Sequence, residues 1–406
     1  MNANAGAPFL PYGRPCIEDD DIAAVAQVLR SGWLTTGPLV EQFETALARA
    51  TGAHHAVVCN SGTAALHLAA MALDLDHTSM VIVPALTFVA TANAARYVGA
   101  RVVFADVDPL SGLMTPQTLV DALDRAPRAD AVFPVHLNGQ CVDLPALREI
   151  ADRQRLAIVE DACHALGTTY GADGHKHTVG AGAHSAFQCF SFHPVKTVAM
   201  GEGGAVTTSD PSAAQRMRNL RSHGIERAAD RFEIKAQAFT PDGEANPWYY
   251  ELQELGFNYR ASDIQCALGI SQLSKLDRFK RERAALVETY DELIAHLAPR
   301  VRTVLNVEKC DPAWHLYVVL IDFEAFGLTR ADVMRNLAAR GIGSQVHYLP
   351  VPCQPYYRAL EDKDPHRLYP GAMAYYAKCL SLPLYVGMTG DDVARVVDAL
   401  DEALSQ

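Results

Sequence analysis

One lysine, Lys196, stands between an apolar run and a glycine cluster in FSFHPVKTVAMGEGGAV, residues 190–206. Its neighbours His193, Pro194 and Val195 limit its solvation. A poorly solvated lysine loses its charge more readily, which is what Schiff-base chemistry requires. A buried structural lysine with an acid partner is the other reading of the same residues. The cluster Gly201-Glu202-Gly203-Gly204 resembles a phosphate loop, yet it lacks the GxxxxGK[ST] order. Its glycines precede the strand-like GAVTTS instead of opening a helix.

Two more strand ends are rich in polar groups. In VVCNSGTAALHLAAMAL, Asn60, Ser61, Gly62 and Thr63 lie between a strand and an amphipathic helix. There the free backbone N–H groups and the positive helix end would receive an anion, unless they serve only as an N-cap. In LAIVEDACHALG, Asp161 falls where the strand should end, with His164 three residues on. That pair fits a general acid/base couple or a cap. No second cluster has metal-ligand spacing, which disfavours a metal, and GHKH (174–177) reads as a solvated hairpin tip. Taken together, the three ends fit pyridoxal phosphate, which needs an anion site, a carboxylate against its pyridine nitrogen and a lysine for its aldehyde.

Alternating strands and helices must place these groups. The strand candidates are 56–59, 80–84, 101–106, 130–135, 156–161, 186–192 and 204–209, near-continuous apolar runs of the kind covered on both faces. Helices intervene, one opened by Thr115-Pro116, so an α/β domain with a mainly parallel sheet is expected. YGADGHKHTVG (170–180) reads as a hairpin turning at Asp173-Gly174. From Ser262 to about residue 297 one unbroken helical pattern leads into a smaller α+β unit. The expected division is 1–260 for the large domain and 261–406 for the small one.

Composition excludes several classes. With 406 residues, 49% hydrophobic and 20% charged, the chain is globular with a large core. A formal charge of -12 opposes broad nucleic-acid or anionic-membrane binding. The longest uncharged stretch, 79–95, is interrupted by Pro84, Thr87 and Asn93 and reads as strand, turn and helix start. Nine cysteines without a CxxC pair read as reduced thiols, and the N-terminus carries no leader pattern, so a cytoplasmic location is expected.

The chain resembles the DegT/DnrJ/EryC1/StrS sugar aminotransferases. The matching segments are LTTGPLVEQFE, NSGTAALHLA, PALTFVATANAA, DVDP, PVHLNGQ, VEDACHALG, FSFHPVK…GEGGAV, NYRASDIQCALGISQL and LSLPLY. They occur in family order over nearly the whole chain. SFHPVK, PWYYELQELGFNYR and GIGSQVHYLPVPCQPYYR are similar to the branch that aminates a UDP-linked keto sugar for pseudaminic acid. Where that branch has a histidine after PV, this chain has Pro352-Cys353.

The resemblance implies a fold-type-I pyridoxal phosphate transferase and a homodimer with shared active sites. It implies amino transfer from L-glutamate, leaving 2-oxoglutarate, to C4 of a UDP-2-acetamido-2,6-dideoxy-4-ketohexose. Carried over by motif, Lys196 is the Schiff-base lysine, Asp161 the pyridine-nitrogen partner and His164 the neighbour of the phenolic oxygen. Phe88 stacks on the ring; Gly62, Thr63 and Ser191 contact the phosphate, and Asn258 reaches it from the partner subunit. His193, Arg260, His347 and Tyr348 are substrate-side candidates, with a salt bridge the alternative for Arg260. Rival readings are a C3 or TDP/GDP-sugar aminotransferase and a non-catalytic pyridoxal-phosphate regulator. The 3-dehydratase branch carries histidine in place of Lys196, and a nicotinamide dehydrogenase needs the GxGxxG that CNSGTAAL lacks.

Overall fold

The computed structural model describes residues 8–126, 128–361 and 363–405. The stretch 1–7, read above for a leader pattern, lies outside them, as do both outer ends of the expected domains. β1 (His55–Cys59), β2 (Met80–Pro84), β3 (Arg101–Ala105), β4 (Ala131–Val132) and β5 (Ala157–Asp161) come first. β6 (Thr169–Ala172) and β7 (His175–Thr178) form the expected hairpin, with Asp173 at φ 50° and Gly174 at φ 75° in its turn. β8 (Phe187–Ser191) and β9 (Gly204–Thr208) follow.

Seven of these strands form one sheet in the order β1-β9-β8-β5-β4-β2-β3. Neighbours are parallel except at β9, which runs against both β1 and β8. Val81, Ile82 and Val83 of β2 are wholly buried because helices cover both faces. Burying each such side chain contributes about 1.5–3 kcal/mol. β4 is shorter than the run 130–135 because Pro134 has no N–H to give the ladder. Pairing resumes beyond it, where His136 N donates to the Asp161 carbonyl at 3.0 Å.

Of the helices α1 (Asp19–Ser31), α2 (Pro38–Thr51), α3 (Gly62–Ala72) and α4 (Val89–Tyr97), α2 packs on β1 and α3 on α4. α3 is buried nearly all round, and its alanines let it lie close against β8, β9 and α4. The helical pattern after Ser262 is broken, contrary to expectation, into Asp263–Leu273 and Leu276–Ile294. At the break, the Lys275 ammonium pairs with Glu18, Asp20 and Asp21 at 3.1, 2.6 and 2.9 Å. A backbone at φ -100°, ψ 0° there leaves the helix. A second, antiparallel sheet of Val301–Thr303, Tyr317–Ile321 and Cys379–Leu382 carries its own core with the helix Gly390–Leu404. The fold is α/β with a smaller α+β unit. No helix among the described residues is long and apolar enough to cross a membrane.

Candidate active site

The carboxyl ends of β1, β2, β5 and β8 open into a cavity of about 610 Å³. Parallel strands deliver their ends to one edge, which is why ligands collect there. Asp161, the last residue of β5, is 5% exposed. Its Oδ2 accepts from Thr91 Oγ1 at 2.7 Å, and its Oδ1 accepts from the Cys163 amide at 3.2 Å. Thr87 Oγ1 lies 2.8 Å from Thr91 Oγ1, so a hydroxyl chain braces the carboxylate from α4.

Lys196 sits in the loop between β8 and β9, in a turn closed by its own amide donating to the His193 carbonyl at 2.8 Å. Two further bonds hold the loop: Phe192 N to Gly203 O at 2.8 Å and Met200 N to Phe192 O at 2.9 Å. Burial pulls the ammonium below the usual lysine range, while Cys163 and Asp161 pull it back up. The residue is half-buried and lines the cavity. An amine that sheds its proton easily, beside a buried carboxylate, is a competent nucleophile.

Across the cavity, α3 begins at Gly62 with Ser61 as its cap, Oγ accepting from Ala64 N at 3.1 Å. The first-turn amides of Gly62 and Thr63 have no intrahelical acceptor and stay available to an anion. A Cβ at Gly62 would stand 2.8 Å from Ser191 Cβ. The two strands' ends therefore close on each other at this glycine. Gly62→Ala should weaken cofactor affinity about tenfold or more, through overpacking of roughly 1–3 kcal/mol; titrating the apoprotein with pyridoxal phosphate checks it. Gly204 answers the question of the glycine cluster. A Cβ there would collide with the Ser61 carbonyl, so this glycine lets β9 pass against the start of α3.

Histidines form the remaining wall. His164 Nε2 meets Tyr348 Oη at 3.2 Å, and its Nδ1 has no partner among the described residues. His315 packs on it, 4.4 Å between ring centroids, with its own Nδ1 unpartnered. His347 Nδ1 meets Ser381 Oγ at 2.7 Å. Burial first, then the lysine charge, pushes His347 down to about 3, and burial holds His164 and His315 well below the histidine range. All three imidazoles are neutral at neutral pH. Unfolded, they would bind protons from about pH 6.5 downward, so this stability is complete above that pH and is lost as pH falls below it. The melting temperature should drop between about pH 7 and pH 5, and His347→Asn should make that drop less steep.

Of the expected site residues, Gly62, Thr63, Phe88, Asp161, His164, Ser191, His193, Lys196, His347 and Tyr348 all line this cavity. Asn258 and Arg260 do not. Asn258 is exposed beyond β1, its carbonyl accepting from Asn60 Nδ2 at 3.4 Å. Arg260 lines a separate groove with Thr36, Arg218 and Ser222, and forms no ion pair among the described residues. Thr91, His315, Tyr12 and Glu202 are additions. Thr91 carried no separate signal: it lies in the first turn of α4, and only packing brings its hydroxyl to Asp161. His315 had no local signal, because long-range contacts place it: its amide donates to the Asn138 carbonyl at 2.9 Å, and its ring packs on His164.

The residues present suit pyridoxal phosphate. They supply a buried carboxylate with both oxygens oriented, a helix start for a phosphate, a desolvated lysine and two buried nitrogens without partners. Residues 15–401 match the DegT/DnrJ/EryC1/StrS aminotransferase family. The chain belongs to this family. SpsC, a spore coat polysaccharide biosynthesis protein of Bacillus subtilis (strain 168), is 38% identical over 396 residues, 97% of this chain and 96% of its own. The PLP form of Spr1654, a sugar aminotransferase candidate from Streptococcus pneumoniae, matches with a TM-score of 0.85 at 27% identity, covering 98% of each chain. PseC of Helicobacter pylori, an aminotransferase of pseudaminic acid biosynthesis, matches with a TM-score of 0.85 at 28% identity, over 98% of this chain and 99% of PseC. The protein is a pyridoxal-phosphate-dependent sugar aminotransferase.

Proposed function

We propose that the protein moves an amino group from L-glutamate to C4 of UDP-2-acetamido-2,6-dideoxy-β-L-arabino-hex-4-ulose. The product is UDP-4-amino-4,6-dideoxy-N-acetyl-β-L-altrosamine, and the reaction belongs in the cytoplasm. Residues 1–260 form the cofactor-binding unit and 261–406 the smaller one. The convergence of Lys196, Asp161 and the α3 start in one cavity carries the amino-transfer reading. The likeness of SFHPVK and GIGSQVHYLP to the UDP-sugar branch supports the substrate.

When bound, pyridoxal phosphate supplies an electron sink for negative charge beside the amine. Asp161 would hold a proton on the ring nitrogen, which would strengthen that sink. The amides of Gly62 and Thr63, with the hydroxyls of Thr63 and Ser191, bind the phosphate. Phe88 would cover the ring, and His164 would stand by the phenolic oxygen as a neutral imidazole. Lys196 Nζ would hold the cofactor through its aldehyde carbon, and as a free amine would take the proton from the glutamate Cα and deliver it to that aldehyde carbon. His193, His347 and Tyr348 orient the sugar on the open side.

Asn258 and Arg260 lie off the cavity of their own chain, so we assign them to the neighbouring subunit of a homodimer. The segment leading to them exposes Trp248 at 74% and Leu255 at 79%, apolar surface suited to cover by a second copy. A mixed dimer of Lys196→Ala and Asn258→Ala subunits then has one intact site. By two-fold symmetry, equal mixing should restore about a quarter of wild-type activity. If no activity returns, each chain completes its own site.

The experiment that tests the substrate is amine transfer from the glutamate-loaded enzyme to a panel of UDP-, TDP- and GDP-linked 4-keto sugars. The UDP-linked sugar should react fastest. A faster TDP- or GDP-linked sugar would overturn the nucleotide assignment while leaving the amino transfer standing.

A further inference from the structure

A second cavity, of about 800 Å³, opens beside the first, and Thr87, Phe88 and Tyr348 line both. The amino-transfer chemistry leaves its far side unused. Three rings are half-exposed there, Phe88 at 54%, Tyr97 at 54% and Tyr356 at 53%. Two of them are held in place. Tyr356 Oη accepts from Arg96 Nε at 3.2 Å, and its ring stands edge-on to that of buried Tyr357, at 5.0 Å and 88°. Tyr97 packs edge-on against His67 at 5.4 Å. Arg96 is itself tied to the Ala100 carbonyl at 2.6 Å, so it sets a ring and is not a free cation.

One polar group in this aromatic box has a defined role left to fill. Tyr357 Oη donates to Asn93 Oδ1 at 2.6 Å, which fixes the carboxamide. Asn93 Nδ2 then remains a pure donor, without a partner among the described residues. Pinned aromatic faces with one oriented donor fit a flat heteroaromatic ring that carries a carbonyl on its edge.

We propose that this second cavity holds the base of the nucleotide sugar, with Asn93 Nδ2 donating to the carbonyl at the 4-position of a uracil-type pyrimidine. The inference rests on the nucleotide-sugar reading above and deepens it to the base. Cytosine differs from uracil in offering an amino donor at that position, so it would set donor against donor. Asn93→Asp keeps the acceptor that Tyr357 needs and turns the free donor into an acceptor, which should invert the choice.

Titration calorimetry with UDP and CDP on the pyridoxal-phosphate-loaded protein decides it. Wild type should bind UDP about tenfold more tightly than CDP, one hydrogen bond's worth of discrimination. Asn93→Asp should prefer CDP. Tyr97→Ala should weaken both about tenfold and leave their ratio unchanged, since stacking ignores the edge. Equal affinities in wild type, no binding of either nucleotide, or a UDP preference that survives in Asn93→Asp would each overturn the subsite. The wild-type ratio decides even if the aspartate variant fails to fold. Amine transfer to a UDP-keto sugar without the swap would sink this subsite alone. The swap without transfer to any nucleotide-linked keto sugar would sink the proposed function and leave the subsite.

Discussion

Replacing Lys196 with alanine should remove amine transfer and the covalent hold on the cofactor together. The ammonium is desolvated and lies near Asp161 and Cys163, so in the proposed site it is nucleophile and proton carrier in one group. Losing a positioned base costs about 10²–10⁴-fold, and losing the nucleophile adds to it. A fall in kcat on the order of 10⁴-fold or more is therefore expected. Borohydride should fix the cofactor to wild-type protein, with the added mass on the peptide holding residue 196, and should fix nothing to the alanine variant. Lys196→Arg should fail as well, because a guanidinium does not give up its proton. Turnover within tenfold of wild type in the alanine variant would sink the assignment.

Asp161→Asn should give the next largest loss, on the order of 10³-fold in kcat, within the span of single electrostatic contributions. The substitution keeps the shape and can still bond Thr91 and the Cys163 amide, so the fold should survive. In the proposed site, what disappears is the charge that would keep a proton on the ring nitrogen. A cofactor methylated at that nitrogen carries a fixed positive charge and should recover much of the loss in the variant only. Equal activity of both proteins with the ordinary cofactor would show that Asp161 serves the fold alone.

Much of this site was legible because parallel α/β proteins place polar residues where apolar runs stop. Asp161 closes such a run, and Lys196 follows another by five residues. The runs themselves marked all seven sheet strands, since burial on both faces leaves little room for polar side chains. Local pattern carries no information about strand direction. GAVTTS reads as a strand whichever way it runs, and its reversal at β9 comes from pairing. The helix break at residues 274–275 escaped as well: no proline or glycine marks it, and the partners of Lys275 there lie more than 250 positions away. His315 and the far wall of the second cavity also depend on long-range packing. Tyr357 and Asn93 are 264 residues apart, and no spacing rule joins them.

The position of β9 has a consequence for how the chain is made. β1 is an edge strand whose sole sheet neighbour is β9. During synthesis, β1 and the helix start behind it therefore wait until residues near 208 have emerged before they can join the sheet. Such pairing is non-local and comes after the local contacts of β2 and β3. The lysine loop is the connection into that same strand, so one late insertion sets the phosphate cradle and the nucleophile together. Cofactor capture is then a report that the sheet has closed: a chain stopped short of β9 would carry Gly62 and Lys196 in its sequence and have no site.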